Sequence, residues 1–406
     1  MHDPATTSAN DRPAAWGGVF AMTLCVFALI ASEFMPVSLL TPIADALRVT
    51  QGMAGQGIAI SGAFAVFTSL FISALAGSLD RKTLLLVLTG AMGLSGAIVA
   101  LAPNYFVYMV GRALIGVVVG GFWAMSAATA MRLVPLHQVP RALAVFNSGN
   151  ALATVIAAPL GAWLGSAIGW RGAFLCLVPV SLVALAWQWV SLPSMPVAPR
   201  AAGPRNPLGV FTLFRQPAVS LGMLAVGLFF MGQFTLFTYV RPFLETVTRV
   251  DTETLSLILL VIGVMGFIGT MVVGAVLKRG FYRTLAGIPL LMAATAVALV
   301  ASGRHTGAVV ALLGFWGLVA TAAPVGWWAW VPRTFPNDAE AGGGLMVAVI
   351  QLSIAFGSTI GGLLFDGSGY RSTFMASAAM LIAAAALAWL TARAQARQAE
   401  GSAAVA

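Results

Sequence analysis

Charge is scarce in this chain: of its 406 residues, 8% are Asp, Glu, Lys or Arg, while 60% are hydrophobic. The mean hydropathy is +0.95. A soluble globular domain carries about 25% charged residues. The composition therefore excludes an ordinary soluble domain and indicates a membrane protein that crosses the bilayer many times.

Residues that build metal and catalytic centres are also few. The two cysteines, Cys25 and Cys176, lie in apolar segments and lack the spacing of a metal or redox motif. The three histidines, His2, His137 and His305, all fall in tails or loops, and the sequence contains no phosphate-binding P-loop. These absences disfavour a membrane-embedded enzyme and ATP-driven transport. We expect no catalytic residue, no metal and no cofactor.

Apolar runs of about 20 residues are long enough to cross a bilayer as helices. The sequence contains twelve such runs, at 17–40, 55–76, 83–102, 107–131, 142–165, 172–190, 218–240, 254–277, 284–302, 307–331, 342–365 and 373–392. The one long connector is rich in proline and arginine and divides the helices six and six. We predict an all-α polytopic protein with a tail at 1–16, a six-helix bundle at 17–190, a linker at 191–217, a second six-helix bundle at 218–392 and a tail at 393–406.

Basic residues predict the orientation in the membrane. They give a net charge of +9 but are dispersed over short connectors, which argues against nucleic-acid binding and for positive-inside topology. With both termini cytoplasmic, the inner connectors and tails hold fourteen Lys and Arg residues. The outer connectors then hold only five, namely Arg48, Arg171, Arg249, Arg304 and Arg371. We therefore expect cytoplasmic termini.

Glu33 lies in an apolar stretch, Trp16–Leu40, that is otherwise free of charge. A charged side chain inside hydrocarbon costs at least ~2.5 kcal/mol, so such residues usually mark the path of an ion or a substrate. The two halves of the chain repeat at an offset of 200 residues, which places Glu33 opposite Gln233 and Gly169 opposite Gly369. Such internal duplication is typical of transporters whose site lies between the halves. Glu33 is therefore a candidate functional residue on an ion or substrate pathway.

A charged loop follows the second predicted helix. Asp80, Arg81 and Lys82 stand after the small residues at 76–78. A carboxylate near a helix N-terminus, with neighbouring cations that pair across two bundles, can hold one gate state closed. The same charges can also act only to keep the loop in the cytoplasm. Both interpretations stay open at this point.

Arg112 stands in the fourth predicted helix and is followed by Gly116 and Gly120. Its long side chain can reach towards the interface, or its charge can act on Glu33 and tune proton binding. Glycines four and eight residues further on allow a neighbouring backbone to approach closely. This spacing favours the coupled role over simple snorkelling.

The fifth predicted helix contains Gly149, Pro159 and Gly161, a pattern that bends the helix and keeps its interface tight. Together with the loop and the arginine helix, it resembles the major facilitator superfamily, specifically its drug:proton antiporter group, over essentially the whole chain. The loop departs from the family pattern at Thr83 and Leu84, where the family often has a glycine and another basic residue.

Longer strings are similar to bacterial purine ribonucleoside efflux pumps. They are EFMPVSLLTP at 33–42, GGFWAMSA at 120–127, MRLVP at 131–135, PVGW at 324–327 and VAVIQL at 347–352. This resemblance implies export of nucleosides such as inosine and guanosine, and related purine analogues, across the bacterial inner membrane in exchange for protons.

A purine nucleoside is neutral, with a flat base and a ribose rich in hydroxyls, so its site needs aromatic faces and amides. The candidates are Phe34, Phe122, Trp123, Asn147, Asn150, Gln233, Phe237, Tyr239 and Gln351. Core or lipid-facing packing is the commoner place for aromatics, whereas an amide within a spanning helix needs a partner or a cavity. Trp327, Trp328 and Trp330 lie near a helix end, where we expect at least two of them to face the lipid interface.

The expected mechanism is alternating access around a site between the bundles, in which Glu33 binds the entering proton. The expected partners are nucleosides, protons and the lipid bilayer, with no nucleic acid, and the chain would act as a monomer driven by the proton gradient. The alternative is a broader exporter of drugs, sugars or amino acids with the same coupling, because such motifs describe the gate and not the cargo. A passive channel or a sensor is disfavoured, since a channel usually lacks the antiporter helix and a sensor needs an appended soluble domain.

Overall fold

The computed structural model describes residues 14–75, 79–135, 138–196, 214, 216–335 and 339–405, and these contain helices and no strand. Several sequence predictions fall outside this part of the chain: most of the N-terminal tail, the small residues of the charged loop, most of the linker, and His2 and His137.

Fourteen α-helices and one short π-helix make up the described chain. They are α1 Trp16–Ser38, α2 Leu40–Leu47, α3 Gln51–Leu75, α4 Arg81–Ala100, α5 Tyr105–Leu133, α6 Val139–Leu175, α7 Leu177–Ser191, α8 Pro217–Phe237, α9 Val240–Phe243, the π-helix Leu244–Thr248, α10 Thr252–Arg279, α11 Phe281–Ser302, α12 Thr306–Ala320, α13 Ala322–Thr334 and α14 Ala339–Val405. Helices satisfy their own backbone hydrogen bonds, which a bilayer requires.

Two segments are too long for a single crossing. Ten segments of the described chain are long and apolar enough to span a membrane, and two of them, Arg141–Ser191 and Gly342–Arg397, have 51 and 56 residues. At 1.5 Å per residue each is about two and a half to three times the ~30 Å thickness of a hydrocarbon core. Each is broken by a glycine with φ of 77°, Gly169 and Gly369 respectively. The fold therefore has the twelve crossings that the sequence predicts.

The crossings form two halves with separate cores. One apolar cluster is built around α1, α4 and α5, and another around α8, α10, α11 and α13. The repeat seen in the sequence is also present in the backbone: the glycine breaks at 169 and 369 match, and so do Arg48 and Arg249, the two non-glycine residues with positive φ in the described chain. The halves meet where α3 packs on α14 and α6 packs on α10.

The helix ends depart from the sequence prediction in three places. The first helix stops at Ser38, just after Pro36, and α2 continues in a new direction from Leu40. The predicted helix 307–331 is divided at Thr321, whose hydroxyl donates to the carbonyl of Gly266 at 2.7 Å instead of pointing into lipid. The predicted tail at 393–406 continues α14 as far as Val405.

Close packing of α5 on α3 confirms the interpretation of the spaced glycines. A Cβ atom on Gly116 would lie 2.2 Å from the carbonyl oxygen of Ser61, and one on Gly120 would lie 2.2 Å from that of Ala65. Both distances are far inside van der Waals contact, so only glycine permits this spacing. The two helices are consequently in close backbone contact, and this contact fixes the position of Arg112 on α5.

The expectation for the three tryptophans of α13 was wrong. Trp327 and Trp330 are 2% and 0% exposed and meet edge to face with ring centroids 5.9 Å apart, while Trp328 is 46% exposed. Gly222 makes the room, because a Cβ there would lie 2.2 Å from the Trp330 ring. Two of the three tryptophans therefore build the core of the second half.

Gly116→Ala should lower the free energy of unfolding by about 1–3 kcal/mol, since the added methyl group forces α5 away from α3. Unfolding of the purified protein in detergent, followed by circular dichroism, measures the change. Gly90→Ala in α4 is the control, because its Cβ would meet nothing within 4 Å. Equal stability of the two variants would contradict the packing argument.

Candidate functional site

Glu33 is buried between the two halves. Its side chain is 4% exposed, and its Oε1 accepts a hydrogen bond of 3.2 Å from Nε2 of Gln351 in α14. Gln351 is 5% exposed. The position of Glu33 is five residues before the end of α1 at Ser38, so the carboxylate lies nearer to that end of the bundle. Two candidate residues, one from each half, are thus hydrogen-bonded inside the protein.

Arg112 is completely buried and does not reach towards an interface. Its guanidinium donates to three main-chain carbonyls, those of Gly57 at 3.0 Å, Ser32 at 2.7 Å and Glu33 at 2.9 Å. The burial rules out snorkelling. The arginine holds α1 at the Glu33 backbone and ties it to α3, and it places a positive charge beside the carboxylate without a hydrogen bond to it.

Aromatic rings surround this contact. Phe34 stacks on Phe234 of the other half with centroids 5.7 Å apart, and Phe234 meets Phe237 edge to face at 6.2 Å. Phe34 and Phe237 are partly exposed. Nearby in α8, the buried Oε1 of Gln233 has no hydrogen-bond partner. The site combines aromatic faces with an unpaired amide acceptor, which suits a flat ligand with N–H or O–H groups.

The structure does not gather all the predicted cargo residues in one place. Phe122 is 0% exposed and stacks on Phe146 at 5.8 Å within the core of the first half, so its assignment to the cargo site is corrected. Trp123 is half-buried and meets the same Phe146 ring. Asn150 is half-buried, while the exposed Asn147 donates to the Leu143 carbonyl of its own helix at 2.9 Å.

Tyr239 lies among the contacts that close one end of the molecule. Its hydroxyl donates to the Ser358 carbonyl at 2.7 Å, and its ring stacks on Phe365 at 5.4 Å. A Cβ on Gly55 of the first half would lie 2.2 Å from the hydroxyl. We call this side of the bundle, which carries α2 and α9, the α2/α9 end. Tyr239 seals it in this conformation.

A charged contact that the sequence reading missed also joins the halves at the α2/α9 end. Arg241 donates to the main-chain carbonyl of Ser38, and its Nε lies 2.8 Å from Oε1 of Glu245. The other oxygen of Glu245 accepts from Thr41 at 2.5 Å. We call these four residues the latch. The repeat that places Thr41-Pro42 opposite Arg241-Pro242 was the available signal, but it did not reveal that the two positions touch.

Two further hydrogen bonds support closure at this end. Asp366 accepts from the backbone N–H of Gly52 at 3.0 Å, and Thr359 donates to Gln56 at 3.0 Å. Both join α3 to α14. Among the described residues, the hydrogen bonds between the halves therefore cluster from Glu33 outwards to the α2/α9 end, and these contacts close that end.

The charged loop has a structural role at the opposite end. Asp80 caps α4 by accepting from the Lys82 N–H at 2.7 Å, and it also accepts from Ser194 at 2.5 Å and from the Met195 N–H at 2.9 Å. Partial burial acts to raise the pKa of the Asp80 carboxyl, but these hydrogen bonds outweigh it and hold the pKa below its usual range. Arg81 donates its backbone N–H to the Met195 carbonyl. Asp80 thus ties α4 to the segment after α7, and its gating role stays a prediction.

The antiporter pattern of α6 faces α1. A Cβ on Gly149 would lie 2.3 Å from the carbonyl oxygen of Thr23, and one on Gly161 would lie 2.6 Å from the Ser38 hydroxyl. Pro159 lies inside α6 between them. The small residues therefore bring α6 against the helix that carries Glu33, at both ends of the contact.

Comparison with known proteins identifies the family. The family model of the Major Facilitator Superfamily matches residues 22–357. The chain belongs to this superfamily. Its members are transporters rather than enzymes, so this is a multi-pass membrane transporter of small molecules.

Curated relatives cover almost the whole chain. It is 69% identical to the "Transcription regulatory protein OpdE" of Pseudomonas aeruginosa over 98% of this chain and 99% of that one. It is 39% identical to the "Purine ribonucleoside efflux pump NepI" of Salmonella typhimurium over 90% of this chain and 91% of that one. The second match supports the resemblance seen in the sequence.

Solved structures agree on the fold alone. A bacterial homolog of the human lysosomal transporter Spinster, in an inward-facing and occupied conformation, matches with a TM-score of 0.74 at 14% identity, over 94% of this chain and 98% of that one. A D-xylose-proton symporter matches with a TM-score of 0.74 at 16% identity, over 93% of this chain and 98% of that one.

Gln351→Met should destabilise the transporter by about 1–3 kcal/mol, because it leaves the buried carboxyl group of Glu33 without a partner. Gln233→Met is the matched control: its Oε1 is already unpaired, so its loss should be smaller. Thermal unfolding of the two purified variants and the parent measures the difference. A larger loss for Gln233→Met would contradict the importance of the contact.

Arg241→Gln and Thr41→Val should each open the α2/α9 end, because each removes a hydrogen bond that crosses the latch. Spin labels on cysteines at the exposed positions Ala46 and Glu253 report the distance between the halves, in a background with Cys176→Ser. The control is Thr246→Val, whose hydroxyl donates to Pro242 within the second half. Unchanged distance distributions in both latch variants would show that the latch does not hold this end closed.

Proposed function

We propose that this transporter exports purine ribonucleosides, such as inosine and guanosine, in exchange for protons. The observation that carries the proposal is the hydrogen bond between Glu33 and Gln351, because it places an ionisable group of one half against an amide of the other, beside aromatic faces and the unpaired acceptor of Gln233. A group that joins both halves can respond to their relative movement. No cofactor is required, since the proton gradient supplies the energy.

Glu33 is the proton carrier in this scheme. A carboxylate buried among apolar side chains is far cheaper to keep neutral than charged, unless other groups compensate it. The Glu33 carboxylate accepts from one amide, and Arg112 donates to main-chain carbonyls. Gain or loss of a proton on Glu33 therefore changes the strength of the contact between α1 and α14. Protonation can therefore favour one arrangement of the halves, which is what alternating access needs.

The cargo class follows from the relatives and agrees with the chemistry of the site. Phe34 and Phe237 offer ring faces for a base, and each base stacked on an aromatic gains about 1–3 kcal/mol. The unpaired Oε1 of Gln233 can accept from a base or ribose group, and an amide does so without imposing charge. The relative named as a purine ribonucleoside efflux pump supports this cargo over other neutral molecules.

Orientation and location belong to the same proposal. The basic residues favour cytoplasmic termini, so the α2/α9 end faces the outside of a bacterial inner membrane. In that orientation, the contacts of the latch and of Tyr239 close the outer end of the transporter. A single chain contains both halves of the site, and the transporter works as a monomer.

Transport by purified protein tests the proposal. In liposomes with an imposed pH gradient, radiolabelled inosine should accumulate in the compartment of lower pH, and excess guanosine should suppress the signal. Glu33→Gln should reduce gradient-driven accumulation to the level of protein-free liposomes while leaving nucleoside binding measurable. Glu253→Gln, an exposed glutamate in the first turn of α10, should behave like the parent.

Two results would reject parts of the proposal separately. Full response of Glu33→Gln to the gradient would remove this residue as the proton carrier. Accumulation of drugs, sugars or amino acids with no inosine signal would favour the alternative, a broader exporter with the same coupling.

A regulatory effect on gene expression is a second candidate, favoured by the relative named as a transcription regulatory protein. Export of a small molecule lowers its cytoplasmic concentration and so changes the occupancy of any protein that senses it. Under this idea the effect on transcription depends on transport. Comparing transcripts in cells with the parent and Glu33→Gln proteins tests it: an effect that survives in the variant would require a separate regulatory activity.

A further inference from the structure

A cavity of about 580 Å³ lies in the second half at the α2/α9 end, away from Glu33. It is lined by Thr246, Val247, Thr248, Arg249, Arg304, Tyr370 and Arg371. Three separate parts of the chain supply the arginines: the end of the π-helix, the loop between α11 and α12, and the start of the last crossing. The cavity is large enough for a small polar ligand, since ligand pockets typically measure about 300–1,000 Å³.

Tertiary contacts bring these three parts together. The Thr248 hydroxyl donates to the Gly303 carbonyl at 2.9 Å, which joins the π-helix to the residue before Arg304. Phe243 meets the Tyr370 ring with centroids 5.3 Å apart, which joins the same region to Arg371. The side chains of Arg249, Arg304 and Arg371 are all exposed to the cavity or its mouth. Their convergence is therefore a product of the fold.

The three positive charges lack acidic partners. Within the described chain, the ion pair found is the one between Arg241 and Glu245. Two nearby carboxylates bind backbone groups: Asp251 accepts from the Thr254 N–H, and Asp366 accepts from the Gly52 N–H. A third, Glu253 in the first turn of α10, is exposed and is not part of that ion pair. Three guanidinium groups that repel one another persist in one cavity at an energetic cost unless an anion neutralises them.

The other half provides an internal comparison. Arg171 occupies the position equivalent to Arg371, but it donates to the Ala102 carbonyl at 2.8 Å and lies over the Trp170 ring at 4.4 Å. Arg371 has neither contact and only approaches the Tyr370 hydroxyl, at 3.4 Å. One arginine is used to hold its own half together, while its counterpart faces the cavity.

We propose that Arg249, Arg304 and Arg371 form a binding site for a phosphate-bearing anion. The planar guanidinium group presents paired N–H donors that match phosphate oxygens, and several arginines around one anion are the usual means of recognition. The hydroxyl of Tyr370 can add a neutral donor, because it accepts from Arg371 and its own hydrogen stays available. No activity or relative assigns a role to this cavity, and the site is independent of the proposed transport.

The position points to a lipid headgroup as the source of the phosphate. All three arginines stand where spanning helices begin or end, which is the level of headgroups in a bilayer. Exposed apolar side chains follow in the helices next to two of these arginines, with Leu257 56% exposed in α10 and Met375 48% exposed one turn after Arg371. An anionic lipid can place its phosphate in the cavity and its acyl chains along these side chains.

Thermal unfolding of the full-length protein in neutral detergent tests the site. Phosphatidylglycerol should raise the unfolding temperature of the parent, whereas diacylglycerol, which lacks the phosphate, should not. In the double variant Arg304→Gln, Arg371→Gln the lipid concentration needed for half of the effect should rise about tenfold or more, because two charge-assisted contacts are lost. The double variant Arg48→Gln, Arg171→Gln removes the same charge from the other half and should respond like the parent.

Inorganic phosphate distinguishes the source. A rise in unfolding temperature with phosphatidylglycerol but not with phosphate identifies a lipid site. A rise with phosphate alone identifies a site for a soluble anion. Either result supports the site if the Arg304→Gln, Arg371→Gln variant loses the response. Equal responses of the two double variants, or no response of the parent to either probe, would overturn it. If the double variant fails to fold, the single variants Arg304→Gln and Arg371→Gln carry the same comparison.

Discussion

A carboxyl group placed inside an apolar helix bundle has to find a partner, and the arrangement around Glu33 follows from that requirement. The partner is the amide of Gln351, which comes from the other half of the chain. Around it, Arg112 fixes the main chain of α1, the spaced glycines press α5 on α3, and Gly149 and Gly161 press α6 on α1. The polar contact is thus held by the hydrogen bonds of Arg112 and by two close helix contacts, neither of which leaves space for a side chain at its glycines.

Internal duplication explains why the two halves share a backbone design while equivalent positions carry different side chains. The breaks at Gly169 and Gly369 and the left-handed residues Arg48 and Arg249 show that the two halves share one backbone design. Equivalent positions nevertheless carry different chemistry. Glu33 is ionisable, while Gln233 offers only a neutral amide with an unpaired oxygen. Arg171 stabilises its own half, while Arg371 faces a cavity. A duplicated scaffold can keep its shape while one copy specialises, because shape depends on the small residues and function on the polar ones.

The closure at the α2/α9 end is polar as well as apolar. Thr41, Ser38, Arg241 and Glu245 form contacts that can separate and re-form in water, since this part of the molecule lies at helix ends. Purely apolar surfaces would bind more permanently, whereas partners that water can replace allow an interface to open at little cost. The latch is therefore suited to an interface that opens during the proposed transport cycle.

Sequence alone was sufficient for the architecture and for naming Glu33 as a candidate functional residue. Hydropathy determined twelve crossings, because a bilayer demands long apolar helices, and the internal repeat determined two related halves. A single charge within an apolar run identified Glu33, and glycine spacing identified the close helix contacts. Each of these signals is local in the chain or repeats at a fixed offset.

Only the tertiary structure decided which residues meet. Gln351 is 318 residues from Glu33, and the partners of the latch are about 200 residues apart; no local pattern reports such contacts. Phe122 and two of the three tryptophans of α13 proved to be core residues, because burial depends on which face of a helix meets its neighbours. The convergence of Arg249, Arg304 and Arg371 also depends on tertiary structure. In the sequence they are three separate basic residues of outer connectors, whereas the fold places them around one cavity.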